Sequence, residues 1–267
     1  MKRLIVEKEG PVWIVQFHNP PKSYMDQHTA AELTALLDEI ESSETVRVVI
    51  LTGSEPGVFI RHYDVSELAQ LGGDMAKQGI SFSIEQPVPE SEVHSCLRRI
   101  ENLPVPFIAA INGSAMGGGF ETALACDLRL VQAGDYNLGL PEVTVGLLPG
   151  AGGTQRLSRL VGQSIAMQMV LLGNTISPQT AVDYGVAMEC VEGDIVARAR
   201  EIAGRIVDHS GRAAAHIKQL VRGAHDWSAE EGLANERTLF CDLMVAPDSL
   251  ESMRDMVDND KDIRDLS

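Results

Sequence analysis

The chain has 267 residues, 44% of them hydrophobic, which suffices for a sizeable core in an α/β fold. A formal charge of −16 excludes the basic face that nucleic-acid binding needs, and reads mainly as a solvated acidic surface. No apolar run reaches the roughly 18 residues of a membrane span, and the start, Met1-Lys-Arg-Leu-Ile-Val-Glu-Lys, is too polar for a signal peptide, so a cytoplasmic protein without a membrane partner is expected.

In chain order, Val12 to Phe17 is β-rich. Thr29 to Ile40 carries Ala31, Leu33, Leu36, Leu37 and Ile40 at helical spacing. Val46 to Thr52 is continuously apolar, as expected of a strand buried on both faces. Gly72 to Glu90 is glycine- and proline-punctuated and of mixed polarity. Glu90 to Glu101 reads as helix, stopped by Leu103-Pro104. Val105 to Ile111 and Leu128 to Ala133 read as strands. From Thr154 onward the chain reads as mostly helical, most clearly at Ala181 to Tyr184, Ile195 to Val207, Ala213 to Val221 and Ser228 to Met244. The order suits an α/β core, residues 1–200, followed by a helical region, residues 201–267.

Four cysteines (Cys96, Cys126, Cys190, Cys241) lack Cys-x-x-Cys spacing, and three of them read as buried thiols of a reducing compartment. The seven histidines form no ligand cluster, so no metal site is expected. Gly150-Ala-Gly-Gly153 fails dinucleotide-loop spacing, and no Gly-x-Ser-x-Gly elbow occurs.

The chemistry concentrates in Ile111-Asn-Gly-Ser-Ala-Met-Gly-Gly-Gly-Phe-Glu121, an apolar strand, a glycine-rich turn and a helix start with a carboxylate in its first turn. Glycines Gly117, Gly118 and Gly119 let a ligand approach the backbone, and the unpaired N–H groups of a helix start favour developing negative charge. A second carboxylate, Glu142, follows in Gly139-Leu-Pro-Glu-Val-Thr-Val-Gly146, and a second glycine run in Pro149-Gly-Ala-Gly-Gly-Thr-Gln-Arg156. An oxyanion pocket with two acids suits proton transfer. The acids are 142 − 121 = 21 positions apart, so only the fold can unite them.

These motifs resemble the enoyl-CoA hydratase/isomerase (crotonase) family. The likeness runs from Asn19-Pro-Pro-Lys22 through Val48-Val-Ile-Leu-Thr-Gly53 and the core from Leu103 to Gly162, to Glu230-Glu-Gly-Leu-Ala-Asn-Glu236 and Phe240. It implies a spiral of ββα units with C-terminal helices that assemble homotrimers or homohexamers. It implies 2-enoyl-CoA hydration, with Glu121 and Glu142 matching the catalytic pair and Gly118 the oxyanion-hole glycine. The second backbone donor falls on Tyr63. Acyl-CoA would be the substrate, with no cofactor beyond its own coenzyme A. The resemblance implies backbone contacts to CoA from Lys22, Ser23, Ile60 and Arg61, further substrate contacts from His62, Asp64, Gly117 and Pro141, and a C-terminal contribution from Phe240.

Two departures stand out. Where hydratases have small Ala-Gly-Ala-Asp residues, this chain has Phe59-Ile-Arg-His-Tyr-Asp64. Those side chains would shape the acyl pocket, position an aromatic acyl group or meet CoA phosphates, unless they face solvent and only the backbone counts. The family's basic C-terminal cluster is Asp258-Asn-Asp-Lys261 here, leaving Lys261 as substitute. The interval from Asp64 to Asn112 is also longer than the family's usual spacing, so Gly72 to Glu90 is a surface loop or an active-site lid. Isomerisation, hydrolysis, aromatic acyl-CoA hydration with cleavage, and a catalytically silent scaffold are the alternatives to hydration.

Overall fold

The computed structural model describes residues 2–262. The elements follow as β1 (Leu4–Glu9), β2 (Val12–Phe17), α1 (Gln27–Ser42), β3 (Val48–Gly53), β4 (Gly57–Ile60), α2 (Val65–Lys77) and α3 (Glu92–Asn102). Then come β5 (Phe107–Ile111), β6 (Gly113–Met116), α4 (Gly118–Ala125), β7 (Leu128–Gln132), β8 (Leu138–Gly139), a 3-10 turn (Glu142–Val145) and α5 (Gly153–Leu172). The remainder is β9 (Thr175–Ile176), α6 (Pro178–Asp183), β10 (Glu189–Val191), α7 (Ile195–Val207), α8 (Gly211–Gly223), α9 (Ala229–Met244) and α10 (Pro247–Asp258).

Two sheets organise the chain. The larger has the order β1-β2-β3-β5-β7-β10 and the smaller β4-β6-β8-β9. Each of the pairs β3/β4, β5/β6 and β7/β8 puts its first strand in the large sheet and its second in the small one, then passes to a helix. This is the ββα spiral.

The large sheet is parallel apart from β1, and its period-2 alternation sorts side chains onto two cores. Val49, Leu51, Phe107, Ala109 and Ile111 face the principal core with α1, α3 and α4. Val48, Ile50, Ile108 and Ala110 face Ile195, Ala199, Ile202 and Ala203 of α7. Burial on both faces explains the unbroken apolar sequence of β3.

Helix α1 begins where Asp26 Oδ1 accepts the Thr29 N–H at 2.8 Å, a side-chain cap for a helix-start donor. Leu33, Leu36, Leu37 and Ile40 are buried as their spacing predicts, but Ala30 rather than the exposed Ala31 completes the face. Helix α2 corrects the reading of Gly72 to Glu90 as irregular throughout, because it continues through Gly72-Gly73 to Lys77. Beyond it, Ile80, Phe82, Ile84 and Val88 project to solvent. Cys96 and Cys126 are buried, but Cys190 is only partly so and Cys241 is exposed, so two thiols rather than three are interior. Among the described residues, no helix is long and apolar enough to cross a membrane.

The C-terminal helices are tied to the core by charged side chains of α8, of which Lys218 is the most deeply buried. Lys218 of α8 is buried, and its Nζ donates to the carbonyls of Ile100 at 2.8 Å and Val105 at 2.9 Å while pairing with Asp127 Oδ2 at 2.8 Å. Burial lowers its pKa, and Asp127 opposes the change. Lys218→Met should leave two carbonyls and part of the Asp127 charge unmet, lowering stability by about 3 kcal/mol. Urea unfolding of the two proteins measures this; a loss below about 1 kcal/mol would show that α8 is not anchored there.

Candidate active site

Three strand ends make the site. β4, β6 and β8 are parallel neighbours, with Gly57 opposite Gly113 and Met116 opposite Gly139. Their carboxyl ends therefore open on one side, where ligands of open α/β sheets commonly bind. The chain leaving β4 supplies Arg61, His62 and Tyr63, that leaving β6 supplies Gly117, Gly118 and Glu121, and that leaving β8 supplies Pro141 and Glu142. The fold thus brings together residues that no local spacing unites. Cross-links fix the junction: Met116 N–H donates to Arg61 O at 3.2 Å and Gly117 N–H to Gly139 O at 2.9 Å.

Two backbone N–H groups, those of Tyr63 and Gly118, lie close together at this junction. Gly118 is the first residue of α4, so its N–H has no intrahelical acceptor. A Cβ built on Gly118 would lie 3.6 Å from Tyr63 N. Among the described residues, neither the Tyr63 nor the Gly118 N–H donates to a protein acceptor. Gly117 precedes Gly118 with φ 52, a left-handed conformation suited to glycine, and Glu142 Oε1 approaches to 3.1 Å of the place a Cβ would take.

The two carboxyls have unlike surroundings. Glu121 is buried at 2% exposure, and its Oε1 accepts the N–H groups of Ala151 at 2.7 Å and Gly153 at 2.8 Å. Burial raises its pKa, while those donors and the Arg156 charge resist. Gly153 must be glycine, since a Cβ there would meet Glu121 Cγ at 3.0 Å and Leu140 Cδ1 at 2.8 Å. Among the described residues, Glu142 Oε2 is buried with no hydrogen-bond partner. Burial, with the Glu121 charge adding to it, pushes the Glu142 carboxyl up to about 7.

The Arg61-His62-Tyr63 departure resolves side chain by side chain. Arg61 is exposed. His62 is partly buried, stacks on Tyr24 at 4.3 Å between ring centroids, and brings Nδ1 to 2.7 Å from Tyr63 O. The Tyr63 ring packs against the principal core, and its hydroxyl donates to Glu67 Oε2 at 2.8 Å. Burial and the Glu67 contact raise the phenol pKa. Glu67 Oε2 also accepts the Gln27 N–H at 3.1 Å, so Tyr63 joins the start of α2 to that of α1.

Other sequence candidates lie around this centre. Lys22 is exposed, with Nζ 5.5 Å from the Tyr24 ring centroid, and Ser23 O accepts the Arg61 N–H at 2.9 Å. The Ile60 side chain is buried in the core, and its carbonyl crowds Gly119. Asp64 caps α2 by accepting the Ser66 N–H at 2.9 Å. Pro141 opens the 3-10 turn, and its carbonyl accepts from Thr144 Oγ1 at 2.7 Å. Phe240 is exposed on α9, which packs on α8 and α10. Lys261 is paired with Asp255 at 2.6 Å. The sequence reading missed Tyr24 and the donors of Ala151 and Gly153, although the second glycine run marked where those donors sit. Among the described residues, no group of three or more His, Cys, Asp and Glu could hold a metal ion.

Comparison with known proteins identifies the family of the chain. Residues 7–262 match the model of the enoyl-CoA hydratase/isomerase family. The chain is 33% identical to a short-chain-enoyl-CoA hydratase of Clostridium acetobutylicum, covering 98% of this chain and 97% of that one. It is 33% identical to a 2,3-dehydroadipyl-CoA hydratase of Escherichia coli, covering 95% and 94%. Among solved structures, an enoyl-CoA hydratase from Bacillus anthracis superposes with a TM-score of 0.86 at 29% identity over 97% of both chains. Pseudomonas aeruginosa DspI gives 0.85 at 30%, over 97% of this chain and 95% of that one. The chain belongs to the enoyl-CoA hydratase/isomerase family.

The raised Glu142 pKa has a consequence for stability. A carboxyl held above its unfolded value of 4.5 contributes stability below that pH and loses it as pH rises through about 7. Glu142→Gln should therefore gain on the wild type between pH 5 and pH 8, by roughly 1–3 kcal/mol. Paired urea titrations at the two pH values check this, and an equal difference at both would contradict the raised value.

Proposed function

We infer that the chain is an enoyl-CoA hydratase acting through Glu121, Glu142 and an oxyanion hole of the Tyr63 and Gly118 N–H groups. The observation that carries this reading is the convergence of two free backbone donors and two unlike carboxyls at parallel strand ends. In the forward reaction Glu121, ionised between two N–H donors, takes a proton from water. The hydroxyl oxygen bonds to the β-carbon of the enoyl thioester as the carbon–carbon π-bond opens. Charge moves to the thioester oxygen, where the two N–H groups hold it. Glu142, whose pKa near 7 keeps a proton available, delivers that proton to the α-carbon. The product is a 3-hydroxyacyl-CoA.

No cofactor is required beyond the substrate's own coenzyme A. The pantetheine and nucleotide would run past Lys22, Ser23 and Arg61, with His62, Asp64, Gly117 and Pro141 around the acyl thioester. Lys22 and Arg61 are exposed and supply local positive charge against a net −16. Lys261 is less suited to this, since Asp255 already holds it. The exposed apolar residues Leu233, Phe240 and Met244 on α9 support assembly into homotrimers or dimers of trimers, in which Phe240 would reach a ligand beside a neighbouring subunit. A cytoplasmic location is consistent with these features.

Glu121→Gln and Glu142→Gln should each lower kcat by at least about 100-fold, because positioned proton transfer is worth that much. Loss of the conjugated absorbance of crotonyl-CoA reads the rate, and near wild-type turnover in both variants would overturn the two-carboxylate mechanism. A parallel panel of aromatic and branched acyl-CoAs separates hydration from isomerisation, hydrolysis and cleavage.

Gly118→Val should fold, since a Cβ there meets its nearest atom, Tyr63 Cβ, only at 3.4 Å. Its methyl groups would cover the Tyr63 N–H, and kcat should fall about 100-fold or more. Unchanged kinetics in the folded variant would remove Gly118 from the oxyanion hole.

A further inference from the structure

Glu121 depends on a loop whose conformation is set from outside the site. Its two donors, Ala151 N–H and Gly153 N–H, belong to peptide planes separated by one more, the plane between Ala151 and Gly152. The carbonyl of that intervening plane is the Ala151 oxygen, which accepts Arg156 Nη1 at 2.6 Å. Holding it fixes the dihedrals on either side, and with them the directions of both N–H groups.

Arg156 is itself gripped. Its Nε and Nη2 donate to the two oxygens of Glu101 at 2.9 and 2.6 Å, a bidentate pair with a planar match. Glu101 Oε1 also receives Arg222 Nη1 of α8 at 3.2 Å. Arg222 in turn donates to Asp127 and to Ala125 O at the end of the Glu121 helix. The chain of contacts therefore runs from the end of α3, through the first turn of α5, to the carboxylate in α4. Among the described residues, none of these side chains hydrogen-bonds to Tyr63 or Gly118.

Resting on the reading of Glu121 as the ionised acid, we propose that Arg156, clamped by Glu101, is a positioning residue that aims the Ala151 and Gly153 N–H groups at Glu121. Burial acts most strongly on Glu121 and favours its neutral form, while the two N–H donors, Arg156 from α5 and His94 from α3 favour its charged form; the Glu121 charge in turn raises the Glu142 carboxyl of the 3-10 turn. Positioning and simple charge then predict opposite outcomes when Glu101 is neutralised. Glu101→Gln keeps the Arg156 charge and removes a nearby anion, so a purely Coulombic effect lowers the Glu121 midpoint. Loss of the clamp loosens the donors and raises it.

The test is a titration of protein carrying ¹³C at its glutamate side-chain carboxyls, with the Glu121 signal assigned by its absence in Glu121→Gln. The Glu121 midpoint should rise by about half a pH unit or more in Glu101→Gln and by about one unit or more in Arg156→Gln, since one unit corresponds to a tenfold change in proton affinity. Arg156→Lys should fail to restore the wild-type midpoint, because an ammonium lacks the planar fork that grips both Glu101 oxygens while a third nitrogen holds Ala151 O. The acid limb of kcat/KM for crotonyl-CoA should move with the midpoint. An unchanged or lowered midpoint in folded Glu101→Gln would overturn the proposal, and that variant decides the matter if Arg156→Gln does not fold. The titration is read without turnover. Absence of hydration in the wild type would therefore count against the functional reading alone, while an unmoved midpoint would count against the positioning role.

Discussion

Parallel pairing of β4, β6 and β8 is the constraint on which the site depends. A parallel ladder aligns strand ends of one polarity, so three distant stretches of chain leave the sheet at one place. The register shift between Val58 and Ile60 belongs to the same geometry, since the chain leaving β4 must turn to run beside Met25. Main-chain bonds from Ser23, Met25 and Met116 then hold residues 61–64 like a short extra ribbon. Sliding one strand by a single residue would invert its side chains and separate the donors from the acids.

Within that frame, two residues of the same type become chemically different. Glu121 sits deeper, yet it finds two N–H groups that reward its negative charge. Glu142 is less enclosed, yet one of its oxygens finds nothing. Desolvation raises the pKa of both, and the donors and charges that oppose it gather on Glu121 more than on Glu142. The proposed division into base and acid follows from that inequality rather than from depth.

The sequence announced the framework where physical signals were long and regular. The apolar run in β3, the 3.6-residue period of Leu33, Leu36, Leu37 and Ile40, and α7 from Ile195 to Val207 all lie where their patterns put them. The small sheet was not announced. Leu138–Gly139 and Thr175–Ile176 are two residues each, and β4 and β6 open on glycine, so no alternation can develop. Helix α2 escaped notice because Gly72-Gly73 reads locally as a breaker, whereas the helix capped by Asp64 continues across it. For the site, Glu121 and Glu142 stood out by motif, but their surroundings did not. The partners of Glu121 are backbone atoms at Ala151 and Gly153, and a main-chain N–H leaves no residue-type signature. The Tyr63–Glu67 contact was legible as an i, i+4 pair only once α2 was known to begin at Val65.

The outward turn of the Tyr63 ring has a consequence for how this scaffold diversifies. At residue 63 the peptide N–H is the proposed oxyanion donor, while the side chain is anchored elsewhere by the core and Glu67. The alphabet available there is consequently limited by fit against α1 and α2, not by the reaction. A library randomised at positions 61 to 63 would sample rim shape and helix docking while leaving the donor in place. Tyrosine at this position is thus compatible with the proposed chemistry, and motif scoring that weighs only side-chain identity would rank such a chain as more divergent than its backbone makes it.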